Sequence, residues 1–226
     1  MAVKTYSLKK NGDKKLSDHF RVREFRCKDG TDKILIESKV ITTLEKVYDH
    51  FDCSKIIINS GYRTPTHDKK VGGSGRGSHC EGKAVDFVAY DKKGNKIPSK
   101  NIVLYLEDLG ILGIGYRCGR SSTATHMDIN YRSKKWYGDE YYSMSGSVGS
   151  SFYPYLGVKY ATKRVRVDSS LKARKEPGLK GKVAKKLKNG EKIAVANSYS
   201  ITKDGYLWVR VKIDGKHYWV ANKYLR

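Results

Sequence analysis

His79, Asp86 and His126 are the residues whose types and spacing could do chemistry. The first two stand seven residues apart in "GSHCEGKAVDF" (77–87), and the third lies in "TATHMDINY" (123–131). Two imidazoles and one carboxylate make a ligand set for zinc with a fourth position left open. Zinc held that way makes water a usable nucleophile and polarises a carbonyl, which makes amide hydrolysis feasible at neutral pH. The spacing alone also fits a hydrogen-bonded structural His–Asp pair, because a chain with six histidines offers such pairs by chance.

The elements around these residues follow from local pattern. Gly82 argues against a helix through His79 and Asp86, and "AVDFVAY" (84–90) reads as a strand after a glycine-rich loop. Its alternation puts Ala84, Asp86 and Val88 on one face and Val85, Phe87 and Ala89 on the other. In residues 123–131, Thr125, Met127, Ile129 and Tyr131 share one face, and His126 and Asp128 share the opposite one. A helix is predicted over Ser38–Phe51, capped by Ser38, and a second over Ser99–Gly110, closed by Gly110. Between them "SKIIINSGYR" (54–63) reads as a buried strand ending in a glycine turn. Cys80 beside His79 reads as inert, His67 as structural in the turn after Arg63, and "GGSGRG" (72–77) as a flexible cleft rim, since it lacks the ending of a phosphate loop.

Charge and composition divide the chain. The formal net charge is +23, from 46 Lys plus Arg against 23 Asp plus Glu, which points to a polyanionic partner. From Ala161 to Arg226 there are 18 basic and 5 acidic residues, so 13 of those charges sit in under a third of the length. Residues 1–138 read as a mixed α+β domain, a small antiparallel sheet with flanking helices. Residues 139–160, rich in Tyr, Ser and Gly without apolar period, read as a linker. Residues 161–226 read as a small all-β barrel, with hairpins at Asn189-Gly190, Asp204-Gly205 and Asp214-Gly215. Four cysteines without CxxC spacing suggest free thiols. The first residues hold no apolar run of signal-peptide type and no stretch is long enough to span a bilayer, so stable membrane insertion is not expected and export would use another route.

Several motifs agree with one family. "LSDHFRVREFRCKDG" (16–30), "SGYRTPTHDKKVGG" (60–73), "GSHCEGKAVDF", "GIGYR" (113–117) and "THMDINYRSKKW" (125–136) resemble, in order and separation, the D-alanyl-D-alanine carboxypeptidase-like zinc peptidases over about Leu16–Trp136. That family cleaves peptidoglycan stem peptides as carboxypeptidases or endopeptidases. The resemblance implies one catalytic zinc on His79, Asp86 and His126, with the Arg63 guanidinium near the metal to bind an oxyanion or a substrate carboxylate. Some relatives place their general base three residues before the last zinc histidine, and others have a second histidine two before it. Here those positions are Thr123 and Ala124, so the choice falls by elimination on Asp128, about 7 Å along the strand from His126. Gly77 stands where relatives often have a serine, with Ser78 shifted by one.

Residues 171–195 and 205–225 resemble bacterial SH3-like domains, which bind wall peptides or glycans. Tyr199, Tyr206, Trp208, Tyr218 and Trp219 are candidate contacts, with Trp208 and Trp219 expected to fill the core instead. These readings imply a peptidoglycan hydrolase of endolysin type. It would wait in the host cytoplasm until lysis and then be held on peptidoglycan and anionic, Gram-positive wall polymers. Nucleic acid is not the expected partner. The alternative is a non-catalytic wall- or polyanion-binding protein whose zinc is structural, which would bind without turning over wall peptides.

Overall fold

The computed structural model describes residues 2–118, 121–131, 135–137, 148 and 150–226, with only the backbone of 135–137. The chain forms two compact units, Met1–Ser150 and Ser151–Arg226.

In the first unit β1 (Val3–Ser7) pairs antiparallel with β2 (Lys33–Glu37) as a separate ribbon, with the short α1 (Leu8–Asn11) following β1. Then come α2 (Ser38–His50), β3 (Lys55–Ser60), α3 (Pro65–Lys70), β4 (Ala84–Tyr90), α4 (Ser99–Asp108), β5 (Gly113–Tyr116), β6 (Thr125–Asp128) and β7 (Lys135–Tyr137). The sheet order is β3-β4-β6-β5-β7, so β4 and β6 lie inside it. Its pairs are antiparallel except β5 with β7, which run parallel. Period-two alternation sorts the sheet's residues. Val85, Phe87, Ile114 and Met127, all fully buried, share the apolar face, and Asp86, His126 and Asp128 share the other. Leu44 and Val47 of α2 and Ile102 and Leu106 of α4 complete the apolar interior, with α2 contacting β2 and β4 and α4 contacting β5 and β6.

Three local expectations are corrected. Ser38 is not the cap of α2. Glu37 is, its carboxylate accepting from the Lys39 N–H, while Ser38 Oγ donates to that same carboxylate. β3 is an edge strand with Ile57 exposed, so its apolar run does not mean burial on both faces. His67 lies within α3, whose first turn is capped by Thr64 Oγ1 with Pro65 at the opening position.

Gly82 fixes the entry to β4. It has φ +69°, its carbonyl accepts from the Glu37 N–H at 2.9 Å, and a Cβ there would collide with the Leu35 backbone. Gly82→Ala combines left-handed strain with overpacking against main chain, so a loss of about 3 kcal/mol is expected. Chemical denaturation of the two proteins measures it, and a loss under about 1 kcal/mol would mean the turn relaxes freely.

The second unit is α5 (Phe152–Tyr155) followed by seven strands: β8 (Tyr160–Arg164), β9 (Ser170–Arg174), β10 (Val183–Lys188), β11 (Lys192–Ala196), β12 (Ile201–Lys203), β13 (Tyr206–Ile213) and β14 (Lys216–Ala221). The order is β10-β9-β14-β13-β11-β8 with β12 on β13, and no pairing between β10 and β8 closes it among the described residues. Asp204-Gly205 and Asp214-Gly215 are two-residue hairpin turns with φ positive at both positions, the conformation a type I′ turn requires. Asn189-Gly190 is not a hairpin, because β10 pairs with β9, and β11 with β8 and β13. Val165, Leu171, Leu187, Ile193, Val211 and Val220 form the core, and Trp208, Trp219 and Ala221 a second cluster.

Of the expected linker 139–160, most of the first half lies outside the described residues. From Ser151 onward the chain is part of the second unit. Phe152 and Tyr153 are buried, Tyr153 stacks on His217 and Tyr160 hydrogen-bonds the same ring. Ring stacking gives these residues a packing role that no apolar period announces. Beneath them lies Arg210, 1% exposed, donating to Tyr199 Oη and lying over the rings of Tyr153, Tyr199 and Trp219.

Candidate metal centre

β4 and β6 set Asp86 directly opposite His126 in antiparallel register. His79 enters from the turn before β4. Its ring is fixed by the backbone, since Nδ1 lies 2.8 Å from the Gly61 carbonyl. A carbonyl only accepts, so Nδ1 carries a proton, and in the neutral ring Nε2 presents its lone pair inward. His126 Nδ1 is 2.7 Å from Asp86 Oδ1, and His79 Nε2 is 3.5 Å from Asp86 Oδ2. The ligand atoms of the three residues lie within 4.8 Å of one another, and all three side chains are buried.

Electrostatics agree with the geometry. Burial works to raise the Asp86 pKa, but the two imidazoles, His79 foremost, hold it well below the usual carboxylate range. Burial opposes charge on His79, and the Asp86 carboxylate outweighs it, leaving the imidazole above its ordinary value.

The residues fit a metal. His79 Nε2 is buried without a hydrogen-bond partner, a cost unless something accepts its lone pair. Two nitrogens and one carboxylate are a donor set of catalytic zinc. His79 would bind through Nε2, Asp86 through a carboxylate oxygen and His126 through the nitrogen that faces Asp86.

Arg63 is anchored at three points. Nε donates to Ser60 Oγ at 2.8 Å, Nη1 to Asp68 Oδ1 at 3.1 Å and Nη2 to Asp86 Oδ2 at 3.0 Å. The guanidinium thus reaches the centre through a ligand carboxylate. Asp128 is on the site face, 3% exposed, and its Oδ1 accepts from the Asn130 N–H at 2.8 Å; it stands one strand step beyond the three clustered ligands. The Gly77/Ser78 shift leaves His79 supported, because Gly61 supplies the ring's hydrogen bond.

Asp68 is the residue that sequence reasoning missed. It is 3% exposed, paired with Arg63, and belongs to α3. Thr64-Pro65, a capping residue followed by proline, is the signal that marks that helix.

All four cysteines are free, with Cys27, Cys53 and Cys118 buried and Cys80 half-buried. Burial pushes Cys53 up to about 12 and raises Cys80 and Cys118 as well. The thiolate is the reactive form, so the native protein at pH 8 is expected to react slowly with a disulfide reagent at Cys80 and hardly at the other three. Unfolding should release four equivalents; one fast native equivalent would contradict the burial argument.

The fold and site are thus a mixed α/β unit with a buried two-histidine, one-carboxylate cluster able to hold a metal, followed by an all-β unit. The chain belongs to the peptidase M15 family, which matches residues 16–128, and its residues 169–226 match the bacterial SH3 domain. No curated protein matches the chain. M15 peptidases depend on zinc, and the pairing with a bacterial SH3 domain supports a peptidase directed to peptidoglycan. Among the described residues no helix is long and apolar enough to cross a membrane.

Proposed function

We propose that this protein is an endolysin-like peptidoglycan hydrolase that cleaves an amide bond of the stem peptide or cross-link. The observation that carries the reading is the buried His79 Nε2 without a hydrogen-bond partner, facing Asp86 and His126. Zinc supplies a polarised carbonyl and an acidified water when bound there. His79, Asp86 and His126 would hold the ion. Arg63, held by Ser60 and Asp68, presents positive charge where an oxyanion develops or a substrate carboxylate docks. Asp128 takes the proton of the attacking water, being an acid on the same strand face as His126.

The second unit supplies attachment, raising the effective substrate concentration for the tethered peptidase. It carries a groove of about 760 Å³ lined in part by Arg166, Lys172, Arg174, Arg226, Tyr206 and Tyr224. Basic and aromatic side chains together suit the anionic polymers and glycans of a Gram-positive wall. Trp208 and Trp219 are buried, while Tyr199 and Tyr206 pack beside them and Tyr218 against the main core. In this reading the protein stays in the host cytoplasm until the membrane is breached, and then acts on the wall.

Mass spectrometry of purified Gram-positive peptidoglycan after incubation tests the reading and names the bond. Free D-alanine means carboxypeptidase action, and new internal termini mean endopeptidase action. A wall that binds the protein but gains no termini would instead make it a binding protein with a structural metal.

A further inference from the structure

Asp68 is a buried carboxylate outside the ligand set, and its contacts run in two directions. Towards the centre, Oδ1 accepts from Arg63 Nη1 at 3.1 Å, while the neighbouring Nη2 of the same guanidinium is 3.0 Å from Asp86 Oδ2. Towards the rim, Oδ2 accepts from the Gly75 N–H at 2.9 Å and the Asp68 carbonyl from the Gly73 N–H at 2.8 Å. The rim is built closely around it, because a Cβ at Gly73 would run into the Asp68 carboxylate. One guanidinium is therefore shared between two carboxylates, only one of which is a candidate ligand.

We propose that Asp68 is a positioning residue for the metal centre, dividing the charge of Arg63 so that Asp86 stays available to the cation. This rests on the reading of His79, Asp86 and His126 as a zinc site. A fixed cation beside a ligand carboxylate competes with a metal for that carboxylate and repels the ion directly. Asp68 offsets both effects. It supplies a second anion for the fork of Arg63, which with Ser60 holds the guanidinium in one orientation. Through the Gly73 and Gly75 amides it also ties the cleft rim to that orientation. Without Asp68 the guanidinium loses one carboxylate partner, and more of its charge falls on Asp86.

The test is a double-mutant cycle read by zinc affinity, measured on the full-length metal-free protein against a chromophoric chelator. Asp68→Ala is expected to weaken zinc binding about tenfold, the scale of an outer-shell partner. In an Arg63→Ala background the same substitution should change it by less than about twofold, because the charge to be divided is gone. Asp68→Asn, whose amide oxygen can still accept from Gly75, serves if the alanine variant does not fold and should show an intermediate loss. Equal losses in both backgrounds would make Asp68 a scaffold residue only, and no loss in either variant would also overturn the proposal. Turnover of peptidoglycan by the same proteins separates the two readings. A wild type that binds zinc but cleaves nothing removes the peptidase function, and the affinity cycle still decides the role of Asp68.

Discussion

Asp86→Ala is expected to abolish zinc binding at one equivalent per chain and to lower hydrolysis by about 10³-fold or more. A metal contributes several kcal/mol of transition-state charge stabilisation, and each 1.4 kcal/mol is tenfold in rate. The loss should be this large because Asp86 contacts both of the other candidate ligands and Arg63. Its Oδ1 faces His126 Nδ1, and its Oδ2 faces both Arg63 Nη2 and His79 Nε2. His126→Ala should give the same result by removing a ligand from the facing strand.

The metal-free protein should also show the pair in its pH–stability profile. The depressed Asp86 pKa contributes stability that is present above the ordinary carboxylate value near 3.8 and is lost as pH falls through the folded value. The raised His79 pKa contributes stability that is present below its ordinary 6.5 and is lost as pH rises through the folded value. Thermal unfolding of metal-free protein across pH should thus show a maximum between those limits, flattened in Asp86→Ala. An unchanged profile would mean the pair is not formed in solution.

Arg63→Lys is the second large effect. Lysine keeps the charge but not the planar fork, so it cannot hold Ser60, Asp68 and Asp86 together. Losing one preorganised oxyanion donor lowers kcat by about 10²–10³-fold, and that is the expected fall. Zinc content should stay at one equivalent, since all three ligands remain. Steady-state kinetics on a soluble stem peptide, with metal analysis of the same sample, checks both halves. A kcat within about threefold of wild type would place Arg63 outside the reaction.

Part of the candidate metal centre was legible from strand alternation, but spacing alone fitted a structural His–Asp pair equally well, and the ligand set came from the family resemblance. His126 and Asp128 fall on one face by simple alternation, and Asp86 alternates the same way on β4. The register joining the two strands is a long-range choice, yet burial of Val85 and Met127 on the other face leaves little freedom in it. The features missed depend on contacts that local pattern does not encode. Asp68 reads as one more polar residue in "PTHDKK", and only the fold buries it against Arg63. Tyr153 lies in a stretch with no apolar period, and its ring lies over the buried Arg210. Asn189-Gly190 has the composition of a hairpin turn, and the chain uses it between strands that pair elsewhere.

The measurement that tests the central claim most directly is X-ray absorption at the zinc edge on the purified, zinc-loaded protein. The account predicts one zinc per chain bound by two imidazoles and one carboxylate, with a position the protein leaves open, and loss of that signature in His126→Ala. A sulfur ligand, a fourth protein ligand closing the site, or an unchanged spectrum in His126→Ala would contradict it.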